Sequence, residues 1–345
     1  MKKAVIVKDY MHQDGQMEKF LFLKEYGYEV VILPFIEGCT EDRFMETFLK
    51  FETKGPDAVP SSQKLLEEVR DASLLITQLS PISTETLEAA ENLEAVIILR
   101  SGVENVNLPY CTERGIKVMN VPGRLAVPVS EYTVGMIISE TKNIARSHET
   151  IRRGGWSNKY PNQDWSFNLK NHNVGLVGYG NIGKRVARVM QSMEANVIVY
   201  EPYMKAEDIE AEGCRAVSLD ELCQEADVIS VHFRLTDETI GMIGPGQFAL
   251  MKPGTFLVNT ARAGLIDEQA LIEALQNHKI AGAALDVFHE EPLPGDHPFM
   301  TMDNVTITAH IAGLSCDAFD IAYEIVSENI EHYLETNEWS GVVNQ

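Results

Sequence analysis

The chain has 345 residues, with 29 Lys and Arg against 51 Asp and Glu, and a formal net charge of −22. That field repels phosphodiester backbones and anionic lipid, so neither nucleic acid nor a membrane surface is an expected partner, whereas a small anionic ligand needs only one local cationic pocket. At roughly 100–200 residues per domain the length suggests two domains, and 45% apolar residues is enough for two buried cores.

After Met1-Lys2-Lys3 the apolar run ends at Val7, too short for a signal-peptide core. No run approaches the ~18 apolar residues of a membrane span. Cysteines 39, 111, 214, 223 and 316 are scattered without a CxxC pair. Free thiols in a reducing cytoplasm are expected, with no metal site.

In chain order, short β-branched runs alternate with helix-period stretches. Val5–Val7, Val30–Leu33, Leu74–Thr77, Ala95–Leu99 and Lys117–Val121 read as buried strands, with amphipathic helices at Met17–Tyr26, Ser61–Arg70 and Ser83–Glu91. The Glu/Lys-rich segment 37–57 reads as a solvated insertion. One uninterrupted helical pattern, 127–153, starts with Pro128 in its first turn and stops at Gly154-Gly155. At 1.5 Å per residue it would run about 40 Å, so an inter-domain spine contributing to a homodimer contact is expected there. A second series follows, with strands at Val174–Gly178, Val197–Tyr200, Val228–His232, Thr255–Asn259, Ala281–Val287 and Val305–Thr308. Its helices fall at Ile182–Met193, Leu219–Glu225 and Asp267–Asn277. Continuous apolar strands alternating with helices imply two α/β domains, each a doubly wound parallel sheet.

Gly178-Tyr179-Gly180-Asn181-Ile182-Gly183 follows an apolar strand and opens a helix, and the next strand ends in Glu201. A lone GxGxxG is weak evidence, but this context is what a dinucleotide fingerprint requires. Gly178 permits the turn, Gly180 lets a pyrophosphate approach the backbone, and Gly183 lets helix and strand pack closely. Glu201 would accept hydroxyl hydrogens from the ribose and repel a 2′-phosphate, so NAD is the expected cofactor.

Three polar residues stand at later strand ends, where open α/β sheets place their sites: Arg262, Glu291 and His310. Singly they could be a strand-end arginine on solvent, a loop glutamate and a capping histidine. Together they meet the needs of 2-hydroxy-acid oxidation. His310 would take the hydroxyl proton as hydride leaves carbon, Glu291 would orient its ring, and Arg262 would offer a two-donor fork to the carboxylate and carbonyl oxygens.

From about Ala95 to Ala312 the sequence resembles the D-isomer-specific 2-hydroxyacid dehydrogenases, in the phosphoglycerate dehydrogenase-like branch. The resemblance rests on Gly178–Gly183, Asn259-Thr-Ala-Arg262-Ala-Gly-Leu-Ile-Asp267, Asp286-Val-Phe-His-Glu-Glu291-Pro292 and Thr308-Ala-His310-Ile-Ala-Gly313, in the family's order and spacing. It implies that Arg262, Glu291 and His310 are catalytic, that Asp286 contacts the nicotinamide carboxamide, and that Thr260 and Ala261 meet the cofactor through their backbone. It further implies a Rossmann NAD domain, 119–312, inserted into a flavodoxin-like substrate domain formed by 1–118 and 313–345, with a cleft between. The loop Arg100-Ser-Gly-Val-Glu-Asn-Val-Asn107 is two residues shorter than the commoner family pattern. Ser101, Gly102, Val103 and Arg124 are the expected substrate contacts, and Arg100 and Lys159 are further candidate cations. A phosphorylated or polyhydroxylated D-2-hydroxy acid, such as 3-phosphoglycerate, is the favoured substrate. A reductase of a small 2-oxo acid of the glyoxylate, hydroxypyruvate or pyruvate type is the alternative. A non-enzymatic NAD-sensing interaction protein of the same fold is less favoured, and Glu291 stands where formate dehydrogenases carry Gln.

Overall fold

The protein is described here by a computed structural model, which covers residues 2–13 and 15–344. Among the described residues, twelve strands form two all-parallel sheets. The first has β1 (Lys2–Lys8), β2 (Tyr28–Pro34), β3 (Leu74–Thr77), β4 (Ala95–Ile98) and β5 (Lys117–Met119) in the order β2-β1-β3-β4-β5. The second has β6 (Asn173–Val177), β7 (Asn196–Tyr200), β8 (Arg215–Ala216), β9 (Val228–Val231), β10 (Phe256–Asn259), β11 (Gly282–Leu285) and β12 (Val305–Ile307) in the order β12-β11-β10-β9-β6-β7-β8. In each sheet the order reverses at a central strand, β1 in the first and β6 in the second, which is the doubly wound arrangement expected from the alternating pattern.

The chain divides into two compact units, 1–124 with 316–345, and 125–315. The segment after β5 stays with the first unit because the Val121 N–H donates to the Arg100 carbonyl. In that unit the alternation of β1 sends Val5 and Val7 to one core, and Ala4 and Ile6 to another. Phe319, Ala322, Val326 and Ile330 of the helix Ala318–Thr336 pack into the second of these. Burying Phe319, Val326 and Ile330 contributes about 1.5–3 kcal/mol each, so the C-terminal helix belongs to the first unit by packing.

Two expectations are corrected. Segment 37–57 is not a solvated insertion: it contains the helix Glu41–Lys54, capped by the Thr40 hydroxyl accepting from the Arg43 N–H. Phe44, Phe48 and Phe51 recur on one face at helical spacing, and Phe51 lies in the core. The long helix 127–153 is two helices, Ala126–Thr141 and Ile144–Arg152, with Asn143 between them at φ 56°. No Gly or Pro marks the break, but Asn tolerates the left-handed region. The bend is held by Arg146, which donates to Glu140 Oε1 at 2.7 Å, to Asn143 Oδ1 at 3.1 Å and to the Asp303 carbonyl at 2.6 Å. Glu140 is fully buried. Burial raises its pKa, and the Arg146 charge and the hydrogen bonds from Arg146 and Thr306 only partly offset this. No helix of the described residues is long and apolar enough to cross a membrane.

Candidate active site

At the end of β6 the chain turns through Gly178 at φ +108°, where an added Cβ would lie 2.9 Å from the His232 carbonyl carbon and 3.0 Å from the Phe233 nitrogen. Only glycine makes this turn without strain. Gly183 sits in the first turn of the helix Asn181–Ser192, and a Cβ there would fall 2.3 Å from the Gly178 carbonyl oxygen. Gly180, between them, has nothing within 4 Å of that position. The loop is closed on its inner side and open at Gly180, so a diphosphate can approach the helix N-terminus, and these residues fit a dinucleotide. The wall behind Gly178 is neutral near pH 7, since burial pushes the His232 pKa down to about 4.

Glu201, just past β7, is tied to this loop. Its Oε2 accepts from the Tyr179 N–H at 3.0 Å and its Oε1 from the Tyr203 N–H at 3.2 Å. The carboxylate is therefore held against the glycine loop. Replacing Glu201 with Ser is expected to lower the ratio of kcat/KM with NAD to that with NADP by about tenfold or more, the scale of one charge-assisted hydrogen bond. An unchanged ratio would remove Glu201 from cofactor selection.

Arg262, Glu291 and His310 all belong to the second unit and follow β10, β11 and β12, three adjacent strands. His310 Nδ1 lies 2.8 Å from Glu291 Oε2, and Glu291 Oε1 accepts from the Phe288 N–H at 2.9 Å. Partial burial raises the Glu291 pKa, but the hydrogen bonds from His310 and Phe288 and the charges of His310 and Arg262 outweigh it, holding the carboxyl below its ordinary value. Arg262 is exposed and anchors one N–H on the Ala261 carbonyl at 2.7 Å.

The supports of these three residues were only partly foreseen. Asn259 is 1% exposed. Its Oδ1 accepts from the Ala261 N–H at 3.0 Å, and its Nδ2 donates to the Arg262 carbonyl at 2.9 Å. The Ala261 N–H, expected at the cofactor, is thus already engaged by Asn259. Thr260 is buried, with its hydroxyl 2.6 Å from that of Thr133. Asp286, expected at the nicotinamide, is 0% exposed and engaged within the chain. Its Oδ1 accepts from the Thr308 hydroxyl at 2.7 Å and the Ile311 N–H at 3.0 Å, while its Oδ2 accepts from the Ala312 N–H at 2.8 Å. These bonds bracket His310, which adopts φ 53°. A motif shows that Asp286 and Asn259 are present, but not which donors they meet.

The expected substrate contacts Ser101, Gly102, Val103 and Arg124 lie in the first unit. The Ser101 hydroxyl donates to the Val121 carbonyl at 3.0 Å, and the Val103 carbonyl accepts from the Val106 N–H at 3.0 Å. The carboxylate of Glu104 lies over Gly102, 2.1 Å from where a Cβ would stand. Arg100 pairs with Glu52 at 2.7 Å and Glu104 at 3.2 Å. Burial, and then the neighbouring Arg100 charge, lower the Arg124 pKa, with Asp9 partly offsetting them. Arg124 Nε is buried without a hydrogen-bond partner, as are Gln78 Oε1 and Asn105 Oδ1. Nothing in the local spacing of Gln78 and Asn105 shows that these carbonyl oxygens end buried and unpaired. Lys159 lies exposed in the second unit.

Residues 134–312 match the family model of the D-isomer specific 2-hydroxyacid dehydrogenase NAD binding domain. A D-3-phosphoglycerate dehydrogenase of Methanocaldococcus jannaschii is 37% identical over 286 residues, covering 82% of this chain and 54% of its own, so the chain spans about half the length of that relative. A glyoxylate reductase of Thermofilum pendens is 35% identical over 84% of this chain and 86% of its own. The crystal structure of the TT0316 protein from Thermus thermophilus aligns with a TM-score of 0.73 at 29% identity, over 99% of both chains. With its two parallel sheets, its glycine loop and the residues gathered at β10, β11 and β12, the chain belongs to the D-isomer specific 2-hydroxyacid dehydrogenase family.

Proposed function

We propose that this protein interconverts a D-2-hydroxy acid and its 2-oxo acid using NAD, and that the acid carries hydroxyl groups rather than a phosphate. The observation that supports the chemistry best is the 2.8 Å pairing of His310 Nδ1 with Glu291. A carboxylate oxygen can only accept, so the Nδ1 proton points to Glu291 and Nε2 is left to exchange a proton with substrate. In oxidation Nε2 takes the hydroxyl proton; in reduction it returns one to the carbonyl oxygen. Glu291 fixes the ring and faces the imidazolium charge that arises when the proton is taken. Arg262, anchored through Ala261, presents a fork suited to the substrate carboxylate and carbonyl oxygens. The Gly178–Gly183 loop and Glu201 would hold NAD, which would supply the hydride acceptor or donor.

The hydroxylated substrate is favoured by the pairing of Arg100 in the first unit. Arg100 already meets two carboxylates, so it brings little net positive charge to a phosphate. Among relatives, the names divide between D-3-phosphoglycerate dehydrogenase and glyoxylate or hydroxypyruvate reductase. NADH oxidation with hydroxypyruvate, sugar-derived 2-oxo acids, glyoxylate, pyruvate and 3-phosphohydroxypyruvate tests the reading. A hydroxylated, unphosphorylated acid is expected to give the highest kcat/KM, about tenfold above its phosphorylated counterpart. Preference for the phosphorylated acid would overturn the substrate assignment, and inertness across the panel would overturn the dehydrogenase reading.

A further inference from the structure

In the first unit, the carboxyl ends of β1, β2 and β3 and the helix Glu41–Lys54 enclose a pocket of about 400 Å³. Its walls do not include Gln78, Asn105 or Arg124, and no residue of the second unit lines it. Phe35, Phe44, Phe48, Phe51 and Leu79 make it predominantly apolar. The rings of Phe44 and Phe48 lie 6.2 Å apart and those of Phe48 and Phe51 5.2 Å apart, a continuous aromatic wall.

Two polar side chains of the same wall are buried with an atom left unpaired. His12 is 7% exposed and Ser80 1% exposed, yet neither His12 Nε2 nor Ser80 Oγ has a hydrogen-bond partner. The His12 ring is fixed by its surroundings. Its Nδ1 lies 3.0 Å from Asp9 Oδ1, and the Phe319 ring packs edge-on at 5.2 Å. Asp9 is itself held, accepting from the Met11 N–H at 3.0 Å and the Leu79 N–H at 2.9 Å. The Asp9 N–H also donates to Nδ1 at 3.3 Å, so Nδ1 is engaged within the loop and Nε2 alone is left to meet a ligand. A buried polar atom without a partner is unfavourable, and an apolar pocket with a few fixed polar groups is the usual form of a small-molecule site. Neither His12 nor Ser80 takes part in the reaction proposed above.

We infer that this pocket binds a small uncharged aromatic molecule bearing one hydroxyl group, a phenol-class ligand. Its ring packs against Phe44, Phe48 and Phe51, and its hydroxyl, which can donate or accept, pairs with His12 Nε2, with the Ser80 hydroxyl as the second polar contact. Offset and edge-on ring contacts suit such a wall, and because it carries both Lys8 and Asp9 no single charge selects a charged ligand.

The test is titration of the full chain with 2-naphthol and with naphthalene, which share a ring system and differ by the hydroxyl. The wild type is expected to bind 2-naphthol saturably and about tenfold more tightly than naphthalene, the scale of one buried hydrogen bond. His12→Phe keeps an aromatic ring in place and removes the polar nitrogen, so the two affinities should become equal. Thr47→Trp, on the pocket wall, should abolish binding of both. The inference is overturned if the wild type binds the two equally, if it shows no saturable binding, or if His12→Phe retains the preference. Should His12→Phe fail to fold, Thr47→Trp decides, and undiminished 2-naphthol binding in that variant overturns the inference.

Discussion

His310→Ala is expected to lower kcat about a thousandfold, the usual scale for removing a general acid–base group, with NAD affinity changed little. The ring stands on Glu291 rather than on the glycine loop, so its loss should leave the cofactor seat intact. Glu291→Gln should have a smaller effect, about ten- to a hundredfold. The amide retains an acceptor for the Nδ1 proton but loses the charge that faces the imidazolium. Since Glu291 is held below the ordinary carboxyl pKa, it is ionised across the neutral range in the wild type. Any contribution of this pairing to stability is present above the ordinary carboxyl pKa and lost as the pH falls through the depressed one. Steady-state kinetics in both directions and NADH binding by fluorescence make the comparison. A His310→Ala enzyme within tenfold of wild type would rule out the assignment.

Asp286→Asn should damage both stability and turnover. The buried carboxylate accepts from three donors, two of them backbone N–H groups of Ile311 and Ala312. An amide in its place must turn an N–H₂ toward at least one of them. Losing a charge-assisted acceptor in a dry site costs about 3 kcal/mol, which in a unit of this size corresponds to a Tm about 6–12 °C lower. Because these bonds bracket His310, a shift of the ring by about 1 Å would lower kcat about a hundredfold. A fall in kcat at nearly constant KM for NAD identifies Asp286 as a positioning residue. A rise in that KM with kcat retained would instead return it to the nicotinamide, as the family resemblance implies.

Much of the fold was legible because parallel strands buried on both faces announce themselves as apolar runs. Leu74–Thr77 and the helix Leu219–Glu225 fall where the pattern placed them. The strand Arg215–Ala216 was not legible, since two residues carry no periodicity. The break at Asn143 escaped because its cause is tertiary: Arg146 ties Glu140, Asn143 and the Asp303 carbonyl, and Asp303 is remote in sequence. The helix Glu41–Lys54 was hidden by its charges, although Phe44, Phe48 and Phe51 already mark an apolar stripe. At the site, residue types and strand ends were readable, whereas pairings were not. Arg100 looked available to an anion until Glu52, 48 positions earlier, proved to hold it. The Asp9–His12 pair, three residues apart in a loop, gives no periodic signal at all.

The bond from the Tyr179 N–H to Glu201 bears on how cofactor choice could change over time. A carboxylate that only read the ribose could be exchanged for a small or basic residue in one step, and the enzyme would drift toward the phosphorylated dinucleotide. Here Glu201 Oε2 satisfies a backbone donor inside the glycine loop, so each such exchange takes away that donor's acceptor. A lineage, or an engineer, seeking NADP use must therefore supply a new acceptor for Tyr179 together with the new charge. Single substitutions at position 201 should accumulate as poor enzymes with either cofactor, and the route between the two specificities should pass through a paired change.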